Sequence, residues 1–322
     1  MSQSPQPDQS TPGEVTPGEV TPVAGRGILL AVLAYLIWGF LPLFFLLLAP
    51  AGAFEVVSWR IVLSLVFCAI LIAVTRSWSR LFELLRDRRV MLTLLLAGVL
   101  ILVNWTVYVY AALNGAVVDA ALGYFINPIL TVLLGVIVLR ERLRPLQWIS
   151  IGITAIAVLV IALNYGSFPW ISLALAASFG TYALVKKRVG GRVDALGGLT
   201  IETLWLSPFA AAELIVLAAT GTLTFGTVST VQTAAMLSAG VVTAIPLLLF
   251  AGAARRLPLT TIGLTQYLTP LMQFVIGVFL LHEALPLTHL IGFILVWIAL
   301  IVFTIDMFRA SRAQRKSVTA LP

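Results

Sequence analysis

From Gly27 onward the chain is a series of long apolar runs broken by short polar or basic stretches. Ten runs fall near 27–48, 54–75, 90–112, 117–139, 147–164, 169–187, 196–219, 232–253, 259–281 and 287–307. Each is long enough, or nearly so, to cross a bilayer as a helix of about 20 residues. Inside the runs, polar residues recur three and four positions apart. Tyr124, Asn127 and Thr131 form one such stripe and Gln266, Thr269 and Gln273 another, so each set shares one helical face. The two stripes belong to a repeat. Pro270 follows Pro128, Gly277 follows Gly135 and Glu283 follows Glu141, each at an interval of 142 residues. Gly98 and Gly240 keep the same interval. The chain reads as a duplicated half-molecule. Each half holds five runs, an odd number, so the second half is expected upside down relative to the first, an arrangement many transporters use.

The pattern predicts an all-α polytopic membrane protein: ten transmembrane helices in two inverted five-helix repeats, over residues 26–166 and 167–308. Composition fits this class. Of 322 residues, 60% are hydrophobic and 10% charged, with a mean hydropathy of +1.06. An ordinary soluble domain is about 25% charged. Residues 1–25 differ from the rest. They are rich in Pro, Ser and Thr, contain TPGEV twice in succession and lack aromatic residues. Such a segment buries too little apolar surface to order itself, and is expected to be a disordered cytoplasmic tail. It also lacks the basic start and apolar core of a signal peptide.

Charge adds orientation. The net charge is +7, yet all but one of the 20 Lys and Arg residues lie at the ends of the runs or between them. With ten spans, every one of these falls on the same side. Basic residues therefore report topology and contact with anionic lipid, not nucleic acid. Both termini are expected in the cytoplasm, the last as a basic tail over 309–322, and the protein in the cell inner (plasma) membrane. The lone Cys68 sits in an apolar run and reads as a small buried side chain.

The remaining basic residue, Arg60, lies inside the second run. A charge at membrane depth faces a cavity or a partner. Glu202 occupies the duplicated position, 142 residues on, and Glu213 follows it by eleven, about three helical turns. The functional reading has Arg60 bind the anionic group of a solute, while Glu202 and Glu213 bind an ammonium or carry a coupled proton. The structural reading makes these residues ion pairs, or has Arg60 reach outward to Glu55 or Asp119. The stripe residues Tyr124, Asn127, Gln266, Thr269 and Gln273 are candidates to line a solute path. Pro128 and Pro270 each free a carbonyl one turn back and are candidate hinges. Tyr35, Trp38, Asn104, Trp105, Tyr108 and Tyr182 lie within spans. Of these, Trp38, Asn104 and Tyr108 join the candidate binding set. Glu141 and Glu283 close the fourth and ninth runs and read as carboxylates that bond loop amides or cap the next helix. A GxxxxGK[ST] motor motif and an HExxH motif are absent from the chain, and neither enzyme activity nor a cofactor or metal is expected.

The copies ending VLRERLRPLQW and LLHEALPLTHLIGF resemble the two EamA repeats of the drug/metabolite transporter superfamily. The opening GILLAVLAYLIWGFLPLFF and the following EVVSWRIVLSLV are similar to its RarD branch, which has an aromatic-Trp-Gly first helix and an Arg at this point of the second. The resemblance spans nearly everything from Gly27 to Asp306. It implies a secondary transporter that moves a small organic metabolite or drug by alternating access, as exporter or exchanger. Because one chain holds both halves, the repeat itself requires no oligomer. One departure counts: RarD-like chains often carry His where this chain has Trp59, so a proton role for such a His does not carry over. The alternative is a membrane scaffold or receptor without transport activity.

Overall fold

The structure is a computed structural model that describes residues 22–139, 145–164, 168–189, 192–254 and 265–319. Among these residues it is all-helical. In chain order the helices are α1 (Pro22–Leu46), α2 (Ala53–Thr75), α3 (Trp78–Arg86), α4 (Arg88–Leu113), α5 (Val117–Leu139), α6 (Pro145–Asn164), α7 (Trp170–Val189), α8 (Ala195–Ala219), α9 (Thr230–Ala254), α10 (Leu268–Val275) and α11 (Leu287–Thr319). A π-type turn, Ile276–Leu280, continues α10.

Among the described residues, five helical stretches are long and apolar enough to cross a membrane: Gly25–Leu46, Ala53–Thr75, Arg88–Leu113, Ala195–Ala219 and Thr230–Phe250. Five shorter apolar stretches lie in α5, α6, α7, α10 with its π turn, and α11. Large apolar side chains cover the outside. Val74 is 74% exposed, Leu163 79% and Phe209 71%, a surface suited to acyl chains and unsuited to water.

Polar residues mark the helix ends. Asp87 caps α4, accepting from the backbone amides of Arg89 (2.9 Å) and Val90 (3.2 Å). Asp194 caps α8 through the amide of Gly197. Arg76 ends α2 in the left-handed region, at φ 52°. α3 was not expected from the apolar runs, because it does not span. It is amphipathic, burying Leu81 and Leu84 while Arg80 and Arg86 stay exposed. α1 takes in the last four residues of the expected tail, 22–25, and the tail's residues 1–21 lie outside the described residues.

Helix packing follows a regular scheme. α2 packs on α8, α5 on α10 and α6 on α11. α1 packs on α9 and α10, and α7 packs on α4 and α5. The main core gathers side chains from α1, α2, α4, α5, α7, α8 and α9. A second core joins α5, α6, α10 and α11 around Phe125, Phe274 and Phe293. Close helix contact depends on glycine in places. A Cβ on Gly240 of α9 would lie 2.4 Å from the carbonyl carbon of Leu63 in α2. Gly98 of α4 faces the backbone of Glu202 in α8 in the equivalent manner, with more room.

Candidate functional site

Arg60 sits on the third turn of α2, about 10 Å along the helix from its first residue at a rise of ~1.5 Å per residue. It is 4% exposed. Its Nε donates to Thr243 Oγ1 of α9 at 2.6 Å, while Nη1 is buried without a hydrogen-bond partner. No carboxylate pairs with it among the described residues. Aromatic faces hold it instead: the guanidinium carbon lies 4.3 Å from the ring centre of Trp105 and 5.6 Å from that of Phe45. Such contacts stabilise a cation without using its N–H donors. A guanidinium carries five N–H groups, so donor capacity remains at a buried positive charge.

Glu55 does not answer Arg60. Its carboxylate accepts from the amides of Thr224 and Phe225 and from the Thr224 hydroxyl, fixing the α8–α9 connection to the start of α2. Glu283 has a similar structural task. It accepts from the amides of Val117 and Val118 at 2.9 and 2.8 Å, and so caps α5 rather than the helix that follows it. Glu141 lies outside the described residues.

From Arg60 a line of aromatic and amide side chains crosses the bundle. Phe45 meets Tyr108 with ring centres 5.8 Å apart, Tyr108 meets Tyr124 at 5.6 Å, Tyr124 meets Phe179 at 6.2 Å, and Phe179 meets Tyr182 at 5.9 Å. Hydrogen bonds lock the line. Gln273 Nε2 donates to the Tyr108 hydroxyl at 2.7 Å and to the Trp38 carbonyl at 3.3 Å, and its Oε1 is buried without a partner. Tyr124 donates to Asn104 Oδ1 at 3.1 Å, while Asn104 Nδ2 donates to Ser178 Oγ and the Leu175 carbonyl.

The line ends at a second charged group. Glu202, 1% exposed, accepts from Lys186 Nζ at 2.6 Å and from the Tyr182 hydroxyl at 3.2 Å. Glu202 lies about 10 Å from the first residue of α8, and Lys186 lies in the last turn of α7. A buried carboxylate with an ammonium and a phenol is a satisfied pair.

The structure thus brings together Arg60, Asn104, Tyr108, Tyr124, Gln273 and Glu202. Trp38 joins through its carbonyl, and its ring packs on Tyr35 and Phe250. Thr269 donates to the Tyr35 carbonyl and ties α10 to α1. Asn127 is buried on α5, and Pro270 is buried within α10. Gln266 is half-buried just before α10 and makes no side-chain hydrogen bond among the described residues. Glu213 is half-buried and unpaired among the described residues, and it does not join Glu202. Asp119 uses its carbonyl to accept from Ser172. Pro128 lies within α5, but its side chain and that of Thr131 fall outside what is described. Sequence reasoning missed Thr243, Phe45, Ser178 and Phe179, whose roles arise from helix packing. It also counted Lys186 with the cytoplasmic arginines. The signal was its spacing: Lys186 follows Tyr182 by one turn, on the face turned to Glu202.

The model of the EamA-like transporter family matches residues 25–163. The RarD protein of Streptomyces exfoliatus is 43% identical over 294 residues, covering 91% of this chain and 93% of that one. An uncharacterized transporter of Vibrio cholerae serotype O1 is 40% identical, over 91% and 97% of the two chains. The uncharacterized transporter YojE of Bacillus subtilis is 37% identical, over 90% and 97%. Among solved proteins, one crystal structure of 19% identity superposes with a TM-score of 0.56 over 87% of this chain and 97% of that one, a likeness of fold.

Proposed function

This chain belongs to the EamA-like transporter family, in its RarD branch, and from that premise we propose that it is a secondary transporter working by alternating access between two inverted repeats. It is a helical protein of the inner membrane. The finer topology is ten spans with both termini cytoplasmic, the repeats covering 26–166 and 167–308. The packing scheme supports it. Exchanging α1 with α7, α2 with α8, α4 with α9, α5 with α10 and α6 with α11 maps the principal helix contacts onto themselves. That exchange pairs each helix with its counterpart in the other half, as inverted repeats require.

The observation that carries the proposal is Arg60: a buried guanidinium between the repeats, cradled by Trp105 and Phe45, with Nη1 uncommitted. A buried cation without a carboxylate is costly. A solute bearing an anionic group offsets that cost while it is bound. Gln273 Oε1 offers an acceptor on the other side of Tyr108, and the tyrosines offer aromatic faces. The solute is a small organic metabolite or drug, moved outward or in exchange. Rearrangement of one repeat against the other exposes the line from Arg60 to Lys186–Glu202 first to one side, then to the other. Energy comes from the solute gradient or from coupled protons carried at Glu202.

The test is counterflow in proteoliposomes. Vesicles are loaded with pools of amino acids and other small organic anions and given tracer outside. Wild-type protein accumulates tracer from at least one pool, and Arg60→Ala does not. Equal accumulation by the two proteins removes Arg60 from the site. No accumulation from any pool by folded wild type counts against transport of this class of solute.

A further inference from the structure

A groove of about 510 Å³ opens on the bundle surface between the start of α4 and the end of α7, a volume within the ~300–1,000 Å³ typical of small-molecule sites. It lies at the arginine-rich end of the protein, beside the Lys186 end of the line just described, since Val185 and Val189 flank Lys186 on α7. Val90, Leu96, Val185 and Val189 form its walls, and Arg89 and Arg192 stand at its rim. The polar and apolar parts are layered. Arg89 is the second residue of α4, and Leu96 lies two turns deeper, about 10 Å at helical rise. Arg89 thus stands at the start of α4 and Arg192 just beyond the end of α7, with Leu96 and Val185 further along those two helices.

Charge decides what fits. Arg192 is 75% exposed on its side chain and only loosely tied, with Nη1 3.9 Å from Asp87 Oδ2. Asp87 is already engaged, its Oδ1 accepting the amides of Arg89 and Val90. Asp194, the other nearby carboxylate, pairs with Arg80 at 3.3 Å. Thr93 spends its hydroxyl on the Arg89 carbonyl. Two guanidinium groups thus face one partly committed carboxylate above an apolar cleft. We propose that this groove is a specific site for one anionic phospholipid of the leaflet at the arginine-rich end, its phosphate between Arg89 and Arg192 and an acyl chain along Val90, Leu96, Val185 and Val189. The clamp joins α4 to α7, the helices that carry Asn104, Tyr108, Tyr182 and Lys186. Lipid bound here braces one wall of the transport path.

The full-length protein, purified in mild detergent, is tested by native mass spectrometry with phosphatidylglycerol and, separately, phosphatidylcholine. Wild type retains one phosphatidylglycerol in preference to phosphatidylcholine. Each arginine removed weakens retention roughly fivefold, the factor expected for a basic side chain at an anionic membrane surface, so Arg89→Ala with Arg192→Ala weakens it by about 25-fold. Leu96→Trp, which fills the apolar part and leaves the charge intact, also loses the lipid. Arg86→Ala, at the same end but off the groove, retains it. The proposal is overturned by equal retention of the two lipids, by undiminished retention in the double arginine variant or in Leu96→Trp, by an equal loss in Arg86→Ala, or by displacement of the lipid with inorganic phosphate at matched concentration. Arg89, Arg192 and Leu96 are all exposed, so the variants keep the fold, and their helical circular dichroism checks this.

Discussion

Removal of the Lys186 ammonium tests the far end of the polar line. Glu202 is 1% exposed, and Lys186 Nζ at 2.6 Å is its charged partner. Breaking a buried ion pair by deleting one member costs ~3–5 kcal/mol, because the other charge is left unsatisfied. The Lys186 side chain is 28% exposed, which weakens the pair through screening and places the cost at the lower end. Lys186→Met should therefore destabilise the protein by about 3 kcal/mol. The reverse deletion is milder. In Glu202→Gln the amide still accepts from Tyr182, and the Lys186 stem swings its ammonium to the aqueous end, for a loss of about 1 kcal/mol. The double variant buries no charge and should fall about 2 kcal/mol short of additivity. Unfolding by SDS titration in mixed micelles, followed by circular dichroism, measures all three. Equal and additive effects of the two single changes would refute the reasoning, since the asymmetry follows from the different exposure of the two side chains.

Gly240→Ala and Gly152→Ala make the same chemical change with opposite expected signs. At Gly240 the new methyl meets the Leu63 carbonyl carbon at 2.4 Å and forces α9 from α2, at a cost of ~1–3 kcal/mol. At Gly152 nothing lies within 4 Å, and the helical site gains up to ~1 kcal/mol. Thermal melts in detergent compare the two, and a shared sign would refute the close approach of α9 to α2. Glu55→Ala removes the acceptor of the Thr224 and Phe225 amides at a cost of ~1–3 kcal/mol. Hydrogen exchange over residues 223–226 should quicken roughly tenfold or more, and unchanged exchange would dismiss the clamp.

Much of the frame was legible because membrane spans are written in long apolar runs, and a bilayer permits few other uses for them. The interval of 142 residues picked out Arg60, Glu202 and the two polar stripes for the same reason: duplication preserves position. Partners were not legible. Thr243 reaches Arg60 from 183 residues away, and Gln273 reaches Tyr108 from 165. Such meetings depend on which helices pack, and helical period alone says nothing of that. Charge counting also misread one residue. Lys186 sits beside a run of basic residues and was assigned to topology, yet its stem carries the ammonium inward to a buried carboxylate. Glu55 erred in the other direction, near enough in sequence to answer Arg60 but committed to backbone amides. α3 was overlooked because its pattern is amphipathic and nine residues long, too short to register as a span.

The most direct test of the central claim is two-sided access to the line between Arg60 and Glu202. In a Cys68→Ser background, which removes the chain's one cysteine, Tyr124→Cys places a single thiol midway along the line. A membrane-impermeant maleimide is applied to right-side-out and to inside-out vesicles, with and without the solute found by counterflow. The account predicts labelling from each side and protection by solute on both. Labelling from one side only, in protein that still transports, would contradict alternating access through this line.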